Sequence, residues 1–160
     1  MSDEAKVSRV LAWYARYVDA RDGTTQKSLF TDDVVLEIFC NVNGERKLTY
    51  GPTTGSNVIE HATNHVLPKH PPGGWSHHFT MDHIVEIDGD TAKLNAQFFT
   101  TKAFAILEPE GGWPEGTYGS QGRLTIEGTG YYECDLKKVD GEWKISHHRV
   151  INDLPWIFPK

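Results

Sequence analysis

Cysteine is scarce in this chain, with only two among 160 residues, Cys40 and Cys134. Both sit in strand-like runs and share no ligand-type spacing, which excludes a disulfide scaffold and a thiolate zinc framework. Buried free thiols in a reducing compartment are the expectation. Long apolar runs are missing too, since no segment approaches the roughly 18 residues that a membrane span requires. Positive charge is sparse: 16 Lys and Arg stand against 22 Asp and Glu, for a net charge of −6. The densest basic cluster is Lys137-Lys138, so neither a nucleic acid nor an anionic membrane is expected as a partner. The N-terminal stretch MSDEAKVSRV is too charged to resemble a signal peptide, and a cytoplasmic location is expected. Glycine is plentiful but never in a phosphate-binding context, because GGWPEG lacks the strand–turn–helix setting of a nucleotide loop. No serine or cysteine occupies a nucleophile-elbow pattern, which argues against covalent hydrolysis. No cofactor is implied.

What is present is the patterning of one α+β domain, 1–160. Val7, Val10, Leu11, Tyr14, Tyr17 and Val18 recur at helical spacing, which predicts a helix from Glu4 to Ala20 capped by Ser2 or Asp3. Asp19 falls at the end of that stripe, on its buried side. A second short helix is expected over Thr25–Phe30, closed by Thr31-Asp32-Asp33. Val34–Phe39 reads as a strand that turns at Asn43-Gly44 into a weaker one, Lys47–Tyr50. A third helix, capped by Thr54 or Ser56, is expected to end near Leu67. Lys69–Trp75 (KHPPGGW) reads as an irregular connection.

The segment Trp75–Thr101 predicts the central hairpin, turning at Asp88-Gly89-Asp90, with an apolar strand continuing to Leu107. Glu108–Arg123 is a Gly- and Pro-rich loop, whose Trp113 and Tyr118 suggest a lid. A last hairpin, Thr125–Val139 and Trp143–Ile151, turns at Asp140-Gly141. The tail carries Trp156, Ile157 and Phe158, expected to pack over a cavity mouth or onto a second subunit.

Two adjacent histidines stand at the start of the central strand, and alternation sends them to opposite faces. His77 shares its face with Phe79, Met81, Val85 and Ile87, and His78 shares its face with Thr80, Asp82 and Ile84. Simple alternation therefore turns His77 inward. Either a bulge shifts the register or the cavity face is polar because it is a site. His78 is preferred, with His77 left open.

A buried aspartate bonded to one imidazole nitrogen would fix the tautomer and leave the other nitrogen free as a base. Tyr132 and His148 are candidates to orient a substrate, Tyr14, Tyr132 and Lys102 to stabilise charge on its oxygen, and Phe39 to contact it. His61 and His65 have the i, i+4 spacing of metal ligands, but no HExxH glutamate accompanies them, and no metal is expected.

The segments YARYVDARDGTTQKSLFTDDVVLEI (14–38), SHHFTMDHIVEIDGDTAKLNA (76–96) and GYYECDLKKVDGEWKISHHRV (130–150) occur in that order. Together they resemble the SnoaL-like branch of the nuclear-transport-factor-two-like superfamily. The resemblance implies a cone-shaped α+β barrel, with N-terminal helices packed on a strongly curved, mostly antiparallel sheet around an apolar cavity. Within the superfamily the chain looks most like enzymes of the scytalone dehydratase and hexachlorocyclohexane dehydrochlorinase type. That likeness places Asp19 of VDARD and His78 of SHHF in the catalytic positions. A second histidine of scytalone dehydratase falls here on Lys102 or a neighbour, and its asparagine falls near Tyr132.

The combined expectation is a cofactor-independent lyase or isomerase acting on a small apolar molecule, aromatic or polycyclic in view of 5 Trp, 6 Tyr and 7 Phe. A non-catalytic binding or assembly module of the same fold is the alternative. The open sheet and apolar tail suggest a homodimer or homotrimer.

Overall fold

In a computed structural model, described for residues 1–155 and Ile157, three helical segments pack on a single sheet of six strands. Trp156 and Phe158 of the apolar tail lie outside the described residues, whereas Ile157 is 87% exposed.

Helix α1 spans Asp3–Ala20. The Ser2 hydroxyl accepts from the Ala5 N–H at 3.3 Å, and Asp3 and Glu4 complement the positive end of the helix dipole. Val7, Val10, Leu11, Ala15, Val18 and Asp19 form its buried side. The helix stops at Arg21, which takes the left-handed conformation (φ 58°).

Helix α2 is only Gly23–Gln26, followed by one tighter turn, Lys27–Leu29. The expected second helix thus stops one residue short, and Phe30 and the TDD triplet begin strand β1 (Phe30–Val42). Phe30 pairs with Ile145 and is 2% exposed, so its burial against the sheet overrides the local helical pattern.

Strand β2 runs over Glu45–Thr54, longer than expected, and crosses a cis Gly51–Pro52 bond. Helix α3 (Ser56–His61) continues into a wider turn, Ala62–Val66, before Leu67. Its cap is Gly55, with no side-chain cap bond, rather than Thr54 or Ser56.

Strands β3 (Gly74–Asp88), β4 (Thr91–Ala105), β5 (Gly122–Val139) and β6 (Glu142–Asn152) complete the sheet. The order is β2-β1-β6-β5-β4-β3, with β1 and β6 parallel and every other pair antiparallel. The sheet is not closed, because β2 and β3 remain edges.

Each tight turn has the chemistry its conformation demands. Asn43 and Gly44 (φ 52° and 81°) and Asp140 and Gly141 (φ 51° and 81°) are both left-handed pairs, and Gly89 (φ 57°) turns β3 into β4. The loop between β4 and β5 does not form the expected lid. Tyr118 is 95% exposed and Trp113 is also exposed, and neither lines the cavity.

The core lies between α1 and the concave face of the sheet. It includes Val7, Leu11, Phe30, Val34, Leu94, Ala96, Phe98, Tyr132, Leu136 and Ile145. Gly130 makes the tightest approach. A Cβ there would lie 1.9 Å from the Ile151 carbonyl oxygen and 2.9 Å from the Phe98 ring, which stacks on Tyr132.

Candidate active site

Asp82 decides which histidine faces inward. It sits in the left-handed region (φ 51°) inside β3, where the pairing with β4 shifts between Met81 and Ile84. The extra residue reverses the alternation. Below it Val85 and Ile87 pair with Leu94 and Ala92, which are buried in the core. Above it Ser76 pairs with Lys102 and His78 with Thr100, and all four residues line a cavity. His77 and Phe79 therefore point to the opposite face, where Phe79 stacks on Phe99 at 4.8 Å. The apolar pattern of the strand and an inward His78 are both correct, on either side of a bulge.

β3 is an edge strand, and the end of α1 lies against it. Asp19 is buried, its side chain only 8% exposed. Its two oxygens accept the His78 backbone N–H at 3.1 and 3.0 Å, which satisfies an edge donor. Its Oδ1 also lies 2.6 Å from Nδ1 of the His78 ring. A carboxylate only accepts, so Nδ1 carries the proton and Nε2 of a neutral His78 holds the lone pair. His77 is a poorer partner, with Nδ1 3.7 Å from Asp19 Oδ2 and a side chain 55% exposed.

The cavity beside His78 has a volume of about 390 Å³, within the size range of small-molecule sites. Its sheet wall comes from Leu36, Ile38, Phe98, Tyr132, His148 and Val150, and its helical wall from Tyr14, Val18, Ile59 and Val66. The Leu67–Pro71 segment closes another side. The irregular connection is thus part of the site rather than a mere link. Arg21 Nε donates to the Pro68 carbonyl at 3.0 Å, and the His70 ring donates through Nε2 to the Asp19 carbonyl at 2.7 Å while stacking on Trp75.

Tyr14, Tyr132, His148 and Lys102 all line this cavity, whereas Phe39 does not. Leu36 and Ile38 of β1 turn inward beside His148 and Val150 of β6, so alternation sends Phe39 to the other face, under Arg46. Lys102 pairs with Glu127 at 3.4 Å.

Burial pushes the phenols of Tyr14 and Tyr132 well above their ordinary value. Both phenols therefore keep their protons. The two rings meet edge to face, with centroids 5.4 Å apart.

His148 is 1% exposed, and desolvation, with smaller contributions from the charges of His147 and Arg149, pushes it down to about 3. It is a neutral imidazole. Its neighbour His147 turns to the opposite face, where Nε2 lies 2.6 Å from Glu37 Oε2 and Nδ1 accepts from Arg149 at 2.7 Å.

Sequence reasoning did not find Gln26, which is fully buried and accepts from the Thr63 hydroxyl at 2.6 Å, tying α2 to the wall near α3. Nor did it find a role for Cys134. His61 and His65 lie with ring centroids 5.1 Å apart, and no group of three candidate metal ligands exists among the described residues. No described helix is long and apolar enough to cross a membrane.

None of the curated proteins compared with the sequence matches it. Solved structures do. A Mycobacterium tuberculosis protein of unknown function is 23% identical, covering 94% of this chain and 76% of its own, with a TM-score of 0.63. A Nostoc punctiforme protein of unknown function with a cystatin-like fold is 14% identical, covering 94% and 91%, with a TM-score of 0.67. A Novosphingobium aromaticivorans protein provisionally named a scytalone dehydratase is 14% identical, covering 94% and 83%, with a TM-score of 0.59. At these identities the likeness is one of fold, the cone-shaped α+β architecture described above. The sequence itself matches the SnoaL-like domain over residues 1–149, and the chain belongs to that family.

Proposed function

We propose that the chain is a cofactor-independent lyase or isomerase in which His78, oriented by Asp19, moves a proton on a small aromatic or polycyclic molecule. The observation that carries this reading is the 2.6 Å contact between Asp19 Oδ1 and His78 Nδ1, made by a ring that lines a largely apolar cavity. Nε2 of His78 takes a proton from a carbon beside a carbonyl, phenol or leaving group. The buried carboxylate stabilises the resulting imidazolium. The electron pair of the broken C–H bond becomes the new double bond. In an elimination the C–X bond breaks as that bond forms, and a departing hydroxyl recovers the proton from His78 as water. In an isomerisation the proton returns to a different carbon. Tyr14, whose phenol keeps its proton, donates its O–H to the oxygen on which charge develops, and Lys102 is a second candidate for that role nearer Glu127.

The test is turnover on a panel of hydroxylated, ketone-bearing and halogenated bicyclic aromatics, followed by ultraviolet absorbance. Asp19→Asn can still accept the His78 backbone N–H, but its amide favours the wrong imidazole tautomer. His78→Ala removes the base. Each is expected to lower kcat by roughly 10²–10⁴-fold while ligand binding stays within a few-fold. Binding without turnover in the wild type would instead leave a binding module of the same fold.

Self-association belongs to the same proposal. The outer sheet face carries Trp75 (43% exposed), Phe79 (44%), Leu124 (67%) and Ile126 (71%) on adjoining strands. A contiguous apolar surface of this kind is expected to be covered by a second copy.

A further inference from the structure

His148 leaves one atom unexplained. Its ring forms part of the cavity wall and is wedged between Tyr14 (centroids 4.5 Å) and Tyr132 (5.5 Å). Nδ1 lies 3.2 Å from the Cys134 sulfur, directly across the β5–β6 pair. Nε2 is buried and has no hydrogen-bond partner among the described residues. Leaving such a group unpaired costs about 1–3 kcal/mol, so an orphan on a cavity-lining ring points to a partner supplied by the ligand.

The direction of the Cys134 contact fixes what that partner must be. Burial raises the Cys134 thiol far above its ordinary value, so it keeps its proton. A thiol is a weak donor and a weaker acceptor, whereas a bare imidazole nitrogen is a good acceptor. The favourable pairing is S–H donating to Nδ1, which puts the imidazole proton on Nε2. We propose that His148, with its tautomer set by Cys134, is a fixed neutral N–H donor that receives an acceptor oxygen of the bound molecule, such as a ketone, quinone or nitro oxygen. His148 is then a specificity-determining residue and Cys134 a positioning one. This rests on the reading of the cavity as a ligand site, but not on the Asp19–His78 proton transfer.

Two measurements test it without turnover. In the wild-type protein, long-range ¹H–¹⁵N spectra should show a pyrrole-type Nε2 and a pyridine-type Nδ1 for His148, and Cys134→Ala should abolish that fixed tautomer. A pyrrole-type Nδ1 in the wild type would overturn the proposal. The second measurement compares binding of 2-acetylnaphthalene with that of 2-ethylnaphthalene, which has nearly the same shape but no acceptor. The ketone should bind the wild type about tenfold more tightly. The preference should vanish in His148→Phe, survive in His148→Gln, whose amide can still donate, and survive in Asp19→Asn. A preference that is absent from the wild type, or that persists in His148→Phe, would overturn the assignment. Loss of turnover in Asp19→Asn with an intact ketone preference would show the two sites to be separable.

Discussion

A histidine buried as deeply as His148 couples folding to pH. Its folded value is pushed down to about 3 against an ordinary 6.5. Between those values the unfolded chain binds more protons than the folded one, so stability rises with pH across that window. The contribution is complete above about pH 6.5 and is lost as the pH falls toward 3, by up to about 1.4 kcal/mol for each unit. Denaturant titrations from pH 7 to pH 5 should therefore show a shallower acid decline in His148→Phe than in the wild type, whatever the variant's absolute stability. Equal slopes would mean that His148 is already accessible to protons in the folded state. At this scale the sequence was informative about chemistry and poor about partners. Asp19 at the buried end of a helical stripe, and a histidine at a strand mouth, are visible as types in positions. The cross-strand partner of His148 is not, because the pairing of Cys134 with it depends on where β5 and β6 align after their own register shift near Asp135.

The decisive element is the bulged strand β3. Regular alternation from Phe79 to Ile87 would bury His77 and expose His78, and only the left-handed Asp82 reconciles an apolar lower half with a polar upper half. The lone aspartate within an apolar run is a weak signal of such a position, since Asp tolerates this conformation better than branched residues do. Asp82→Gly should fold with little change in stability. Asp82→Val should cost about 1–2 kcal/mol, because a β-branched side chain resists φ near 50°. Chemical denaturation of the two variants reads the difference directly, and a neutral Asp82→Val would argue against the bulge. Strand β5 offers a second check on sheet packing. Gly130→Ala brings a Cβ against the Ile151 carbonyl and the Phe98 ring, which cannot both retreat without disturbing the Phe98–Tyr132 stack. A loss of roughly 1–3 kcal/mol is expected, together with weaker ligand binding, since Phe98 and Tyr132 also line the cavity.

For the whole molecule, helix order and hairpin turns were legible because periodicity and Asn-Gly or Asp-Gly pairs are local signals. The cavity wall formed by Leu67–Pro71 was not, because Arg21 and His70 hold that segment through bonds to backbone carbonyls far along the chain. The two faces of the sheet divide the surface by chemistry. On the outer face β2, β6 and β5 carry charged pairs, including Arg46–Glu133 at 2.9 Å and Arg149–Asp135 at 2.9 Å. The β3–β4–β5 side of that face carries the exposed apolar patch instead. A partner copy that buries the patch must bring its own charged half into register, which favours a symmetric pairing over open-ended stacking. Sedimentation velocity should show an assembly that dissociates when Ile126→Glu and Leu124→Lys are introduced together. Both side chains are more than half exposed and point away from the cavity, so folding and ligand affinity should be preserved. If the double variant sediments as the wild type does, the apolar half of this face is not the interface. A monomeric wild type would show that the patch stays open to water, and assembly could then play no part in forming the site.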